Sequence, residues 1–93
     1  MLYTFSQADY NPAHLQRWLA QTTAQDAVLL WQDGVLLGVK YPDLFARSAA
    51  ACYALENDIA ARGIRPLMPP QVRSVSMDFL VALSERYFPQ VAL

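Results

Sequence analysis

Ala27 to Trp31 reads AVLLW, five apolar residues in a row, closed in front by Asp26 and behind by Gln32-Asp33-Gly34. A run this short, with no polar residue to face water, is the pattern of a strand covered on both sides, as in parallel sheets. Parallel strands need long crossovers, normally helices. The rest of the chain therefore has to supply helices between strands.

It does so in alternation. Leu2 to Phe5 is β-prone and ends at Ser6, Asp9 and Asn11. Asn11-Pro12 opens a helix, with Asn as cap and Pro at the first helical position. Leu15, Trp18 and Leu19 share one face of it, with Gln16, Arg17 and Gln21 opposite. After AVLLW, Asp33 is expected to cap a short helical segment, Val35 to Val39. Gly34 allows a close backbone approach there. Tyr41-Pro42-Asp43 reads as a turn and Leu44 to Arg47 as a further helical turn. Ala50 to Leu55 is a second core strand, and Glu56 to Arg62 a helix ended by Gly63. Pro66, Pro69 and Pro70 mark a loop. Gln71 to Val75 alternates as a strand, Ser76 caps a helix from Met77 to Tyr87, and Pro89 stops it. The predicted architecture is α/β. A mainly parallel sheet of about four strands lies between helical layers, as a small three-layer sandwich of right-handed βαβ units. Ninety-three residues form one domain, 1–93.

Composition narrows the function classes. The hydrophobic fraction, 55%, is high for a domain too small to bury all of it, which points to a subunit interface. Net charge is -1, and the seven basic residues are scattered singly, so no row of phosphates is matched and direct nucleic-acid binding is not expected. The start MLYTFSQADY lacks the features of a signal peptide, and no apolar run approaches bilayer length. The expectation is a soluble cytoplasmic protein with no membrane partner.

Few residues carry chemistry. Cys52 is the sole cysteine, so it has neither a disulfide partner nor a second thiol for a metal pair. A reactive thiol needs exposure and a positive neighbour. Cys52 instead lies between Ala49 to Ala51 and Tyr53-Ala54-Leu55, and its expected role is packing. His14, the sole imidazole, falls in the first turn of the first helix with no partner for a triad or metal site. Gln32-Asp33-Gly34 sits at the carboxyl end of a strand, where open α/β sheets bind ligands, yet a cap and a tight turn account for all three residues. No phosphate-binding glycine motif is present. Trp18, Trp31 and the tyrosines read as core or interface anchors. No catalytic, cofactor or metal residue is assigned. Two rivals stay open: a small thiol enzyme using Cys52, and a ligand-binding module using Asp33 and Gly34.

With this order established, MLYTF, AVLLWQDGV, CYALENDIAARGI and VRSVSMDFLVAL together resemble the DsrH/TusB family over essentially the whole chain. The paired words LLxQDGV and YALxxDxxARG carry most of the specificity. The resemblance implies a DsrEFH-like sandwich around a mainly parallel sheet. It also implies a subunit of a sulfur relay, which passes persulfide sulfur toward 2-thiolation of tRNA wobble uridine. The implied partners are C- and D-type paralogues (TusC-like and TusD-like) and, indirectly, a sulfur-acceptor protein, with the working cysteine on the D-type sister. Some DsrH relatives in sulfur-oxidising bacteria carry a first-helix cysteine. The matching position here is Trp18, and Cys52 matches no family cysteine. The chain departs from the family pattern at its end, Gln90-Val91-Ala92-Leu93, and in the spacer Lys40 to Ser48, and Leu93 is assigned no site.

Overall fold

A computed structural model describes residues 1–93. Its elements are β1 (Leu2–Phe5), α1 (Pro12–Gln21), β2 (Ala27–Leu30), α2 (Leu36–Lys40), α3 (Pro42–Ala46), β3 (Ala51–Leu55), α4 (Glu56–Ala61), β4 (Val72–Val75), α5 (Met77–Arg86) and β5 (Gln90–Ala92). Short 3-10 turns at Gln32–Val35 and Arg65–Leu67 complete the path. The five strands form one sheet in the order β4-β3-β2-β1-β5, every neighbouring pair parallel.

This topology assigns the helices to faces. From β1 to β4 the chain steps in one direction across the sheet, and right-handed crossovers then place α1 to α4 on the same side. The return from β4 to β5 reverses direction, which places α5 on the other. The core divides accordingly. On one face Phe5, Val28, Leu30, Cys52 and Ala54 meet Leu15 and Leu19 of α1, Leu37 of α2 and Ile59 of α4. On the other, Leu2, Ala27, Leu29, Tyr53 and Val75 meet Leu83 of α5. All four residues of β2 are buried, as a strand covered on both faces must be.

Caps form as the sequence requires at two helices. Asn11 Oδ1 accepts the Ala13 N–H at 2.8 Å, and Ser76 Oγ accepts the Phe79 N–H at 3.2 Å. Gly63 ends α4 with φ +63.

Four expectations need correction. The sheet has five strands, not about four, because the tail adds β5 beside β1. The Leu2 N–H donates to Pro89 O at 3.1 Å and the Leu93 N–H to Thr4 O at 2.9 Å. Pro42 opens α3 at its first position rather than sitting in a turn. The β4 strand does not alternate, because it is an edge strand whose ends bury Val72 in one core and Val75 in the other while Arg73 and Ser74 stay exposed. Asp33 caps no helix, for a reason that lies in the turn after β2.

Candidate functional site

At the carboxyl end of the sheet, β1 and β2 are joined by the Trp31 N–H donating to Phe5 O at 3.1 Å. Gln32 then takes a left-handed conformation, φ 53, unusual for a residue with a Cβ. This turns its N–H toward α4, where Asp58 Oδ2 accepts it at 2.7 Å. Asp33 is drawn the same way: its Oδ1 accepts from Arg62 Nη2 at 2.7 Å and from Nε at 3.1 Å. Arg62 also lies 3.6 Å from Asp58. The Asp33 carboxylate is therefore engaged by a residue 29 positions away instead of by its own helix. Its side chain is 66% exposed, so the pair contributes at most about 1 kcal/mol.

Gly34 is fixed by proximity. A Cβ built there would lie 1.9 Å from Phe5 O and 2.7 Å from its carbonyl carbon. The Gly34 N–H donates to Trp31 O at 2.9 Å. Every polar group of this turn named above is occupied by another protein group. The arrangement braces α4 against β2.

Cys52 lies in the middle of the sheet, paired with Val28 on one side and Val72 on the other, and is buried. Its thiol contacts Ala50 O at 3.6 Å. Burial pushes the thiol pKa above its ordinary value, against a smaller opposing effect of the Ser48 hydroxyl. Both geometry and charge disfavour the nucleophilic thiolate.

Trp18 is half-buried among other rings. Tyr10 stands edge-on to it at 5.8 Å, Phe5 lies at 6.0 Å and His14 at 6.2 Å. The Tyr10 hydroxyl donates to Leu93 O, tying the end of the chain to this cluster. His14 faces one ring and no carboxylate or thiol, and no three His, Cys, Asp or Glu side chains converge as a metal site would need. The structure thus brings His14 and Trp18 together, and keeps both apart from Cys52 and from the turn after β2.

The surface that sequence reasoning passed over is on α5. Leu80, Leu83 and Tyr87 face the sheet. Met77 and Val81, one turn apart, are 48% and 49% exposed, and Phe88 just past the helix is 74% exposed. On the opposite flank Phe79, 38% exposed, packs beside Tyr53 with ring centroids 5.3 Å apart. Helices α1 to α4 cover one sheet face, whereas α5 alone covers the other. The signal was present in the sequence as Met77 and Val81 at helical spacing, outside the row that Leu80, Leu83 and Tyr87 form.

Comparison with known proteins matches residues 7–90 to the family described as DsrH like protein. The chain belongs to the DsrH-like family. Within reach of it is an uncharacterized protein of Haemophilus influenzae, 46% identical over the full length of both chains. A protein named Protein TusB from Yersinia pestis is 33% identical over 99% of each chain, as is one of the same name from Yersinia pseudotuberculosis. DsrH-like membership agrees with the resemblance read from the paired sequence words, and the all-parallel α/β sheet agrees with the fold that the resemblance implied. No helix is long and apolar enough to cross a membrane.

Proposed function

We propose that this chain is a non-catalytic subunit of a cytoplasmic sulfur-relay complex. It acts as one domain, residues 1–93, with C-type and D-type paralogues of similar fold, in delivery of persulfide sulfur for 2-thiolation of tRNA wobble uridine. The observation that carries the reading is the exposed apolar side chains Met77 and Val81 of α5, the single helix on its sheet face, with Phe88 exposed just past its end. Apolar area of that kind is characteristic of a subunit surface, where burial against a partner completes the core.

Further features support it. Membership in the DsrH-like family, with relatives named Protein TusB, sets the sulfur-relay context. The chain's own thiol is buried and its pKa is raised, so sulfur transfer falls to a sister subunit. A net charge of -1 without a basic cluster fits a protein that serves tRNA modification without holding tRNA. Between the two family settings, the half-buried Trp18 favours tRNA thiolation over a DsrEFH-type sulfur-oxidation complex. Some relatives in that pathway carry a first-helix cysteine at the matching position. The test is co-expression with the C- and D-type paralogues followed by size-exclusion chromatography. One larger assembly containing all three chains is expected, and Val81→Asp and Phe88→Asp together should release this chain from it. Independent elution of the wild-type chain would refute the proposal.

A further inference from the structure

Helix α1 differs from its neighbours in charge and in shape. It carries no acidic residue, and Arg17 near its middle belongs to none of the chain's ion pairs. Arg62 and Arg65, by contrast, are both paired with carboxylates. Beside Arg17 lies a cavity of about 290 Å³, lined by His14, Arg17, Trp18 and Gln21. The last three stand three, four and seven residues beyond His14, so all four share one helix face over two turns, about 10 Å. The volume is at the small end of the roughly 300–1,000 Å³ typical of ligand sites. Its lining is one broad flat ring among three hydrogen-bonding side chains, with no carboxylate. The rings around Trp18 also leave stacking unused. Tyr10 meets it edge-on, with 88° between the planes, and Phe5 and His14 are tilted by 48° and 55°. No ring of the chain lies parallel to this indole, which is the arrangement a planar ligand would supply.

We propose that this cavity binds one nucleoside monophosphate. The base stacks on Trp18, and the Arg17 guanidinium pairs with the phosphate in its two-pronged geometry. The Gln21 amide, one turn beyond Arg17, offers both a donor and an acceptor to the base edge. His14, one turn before Trp18, closes the other end with its imidazole toward the ribose. A bare anion would leave the ring unused, and a neutral aromatic compound would leave the guanidinium unused. A metal ion would find one imidazole and neither carboxylate nor thiolate. One ring and one guanidinium serve a single nucleotide, since the chain offers no row of basic residues along which a strand could continue. The site lies on the sheet face opposite α5. Nucleotide binding and the sister-subunit contact are therefore compatible, and each can fail alone.

Isothermal titration calorimetry of the full chain with adenosine monophosphate tests it, with adenosine, inorganic phosphate and a short oligoadenylate as comparison ligands. Saturable binding with a Kd between about 10 µM and 1 mM is expected for a ligand and cavity of this size. Adenosine and phosphate, each lacking one half of the recognised group, should bind at least about tenfold more weakly. In a Trp31→Phe background Trp18 is the one tryptophan left, and its fluorescence should be quenched along the same isotherm. Arg17→Gln should reduce the affinity for adenosine monophosphate by about tenfold, to that for adenosine. Trp18→Leu should reduce it by about fivefold or more, and Trp18→Phe, which keeps a ring, should recover part of that loss. Circular dichroism verifies the fold of each variant. No saturation by millimolar adenosine monophosphate, or inorganic phosphate bound equally well, overturns the proposal. So does a folded Arg17→Gln chain that binds as tightly as wild type. An oligoadenylate bound more than about tenfold more tightly than the monophosphate assigns the site to an RNA strand and likewise overturns it.

Discussion

Gly34→Ala adds one methyl group, and the structure states where it goes. The new Cβ would lie 1.9 Å from Phe5 O, more than 1 Å inside the closest approach that real Cβ atoms show. The obstacle is backbone, so no side-chain rotation relieves it. Either β1 or the turn must move. Phe5 O also accepts the Trp31 N–H at 3.1 Å, and Phe5 is fully buried against Val28 and Val35. Moving β1 therefore breaks a buried hydrogen bond, about 1–3 kcal/mol, and repacks an overfilled core, about another 1–3 kcal/mol. A loss of roughly 2–6 kcal/mol is a large part of the 5–15 kcal/mol that holds a typical domain together. Urea unfolding followed by tryptophan fluorescence should show a much lower midpoint with little change in slope. Gly38→Ala is the control: its Cβ would crowd only the flexible terminal methyl of Met68 at 3.1 Å, with Leu30 and Pro69 at an ordinary 3.7 Å, and it should remain near wild type. A Gly34→Ala protein within about 0.5 kcal/mol of wild type would refute the argument from close approach.

Cys52 should label slowly with a thiol reagent in native buffer and quickly in denaturant. Cys52→Ala is expected to fold and to keep 2-thiouridine at wild-type levels in cells, whereas Cys52→Ser should cost about 1–3 kcal/mol by burying a hydroxyl in an apolar site. Asp58→Ala removes the acceptor for the Gln32 N–H and should destabilise by about 1–2 kcal/mol, while Asp33→Ala, losing only an exposed ion pair, should cost less than about 1 kcal/mol. Chemical denaturation ranks the two, and the reverse order would contradict the bracing role assigned to Asp58. Asp26 has a lowered pKa, chiefly because its carboxylate accepts the Thr23 N–H at 2.8 Å and then because the amino terminus lies at 3.1 Å. Its unfolded form binds protons more readily. Its contribution is therefore present above the unfolded carboxylate pKa and lost as pH falls through the lower folded value. Asp26→Asn should flatten stability against pH in that acid range, and an unchanged profile would show that the pair contributes nothing.

What was legible in the sequence were features decided locally. AVLL is apolar on every side chain, and its shortness between Asp26 and the Gln32-Asp33-Gly34 turn marks it as a strand covered twice. Asn11-Pro12 and Ser76 mark helix starts by their own hydrogen bonds, and Gly63 marks an end by its positive φ. The alternation of these pieces was enough for a parallel α/β sheet. What escaped was decided at a distance. Strand β5 is three residues long and its residues are mostly exposed, so its own pattern is weak, and it exists because β1 presents a free edge beside it. Asp33 looked like a cap because Arg62, its actual partner, is far away in sequence. The candidate surface on α5 was hidden for the same reason. Met77 and Val81 fall outside the Leu80, Leu83 and Tyr87 row, but their weight shows only once the return crossover leaves α5 alone on its face of the sheet.

The location of the transferred sulfur tests the subunit reading most directly. Purified chain should be incubated with a cysteine desulfurase and cysteine, alone and together with its C- and D-type paralogues, and each chain analysed by intact-mass spectrometry. The expected result is a gain of one sulfur on the D-type paralogue and none on Cys52 in either mixture. A folded, monodisperse monomer that takes up sulfur on Cys52 without its paralogues would contradict the account and establish this chain as a thiol carrier in its own right.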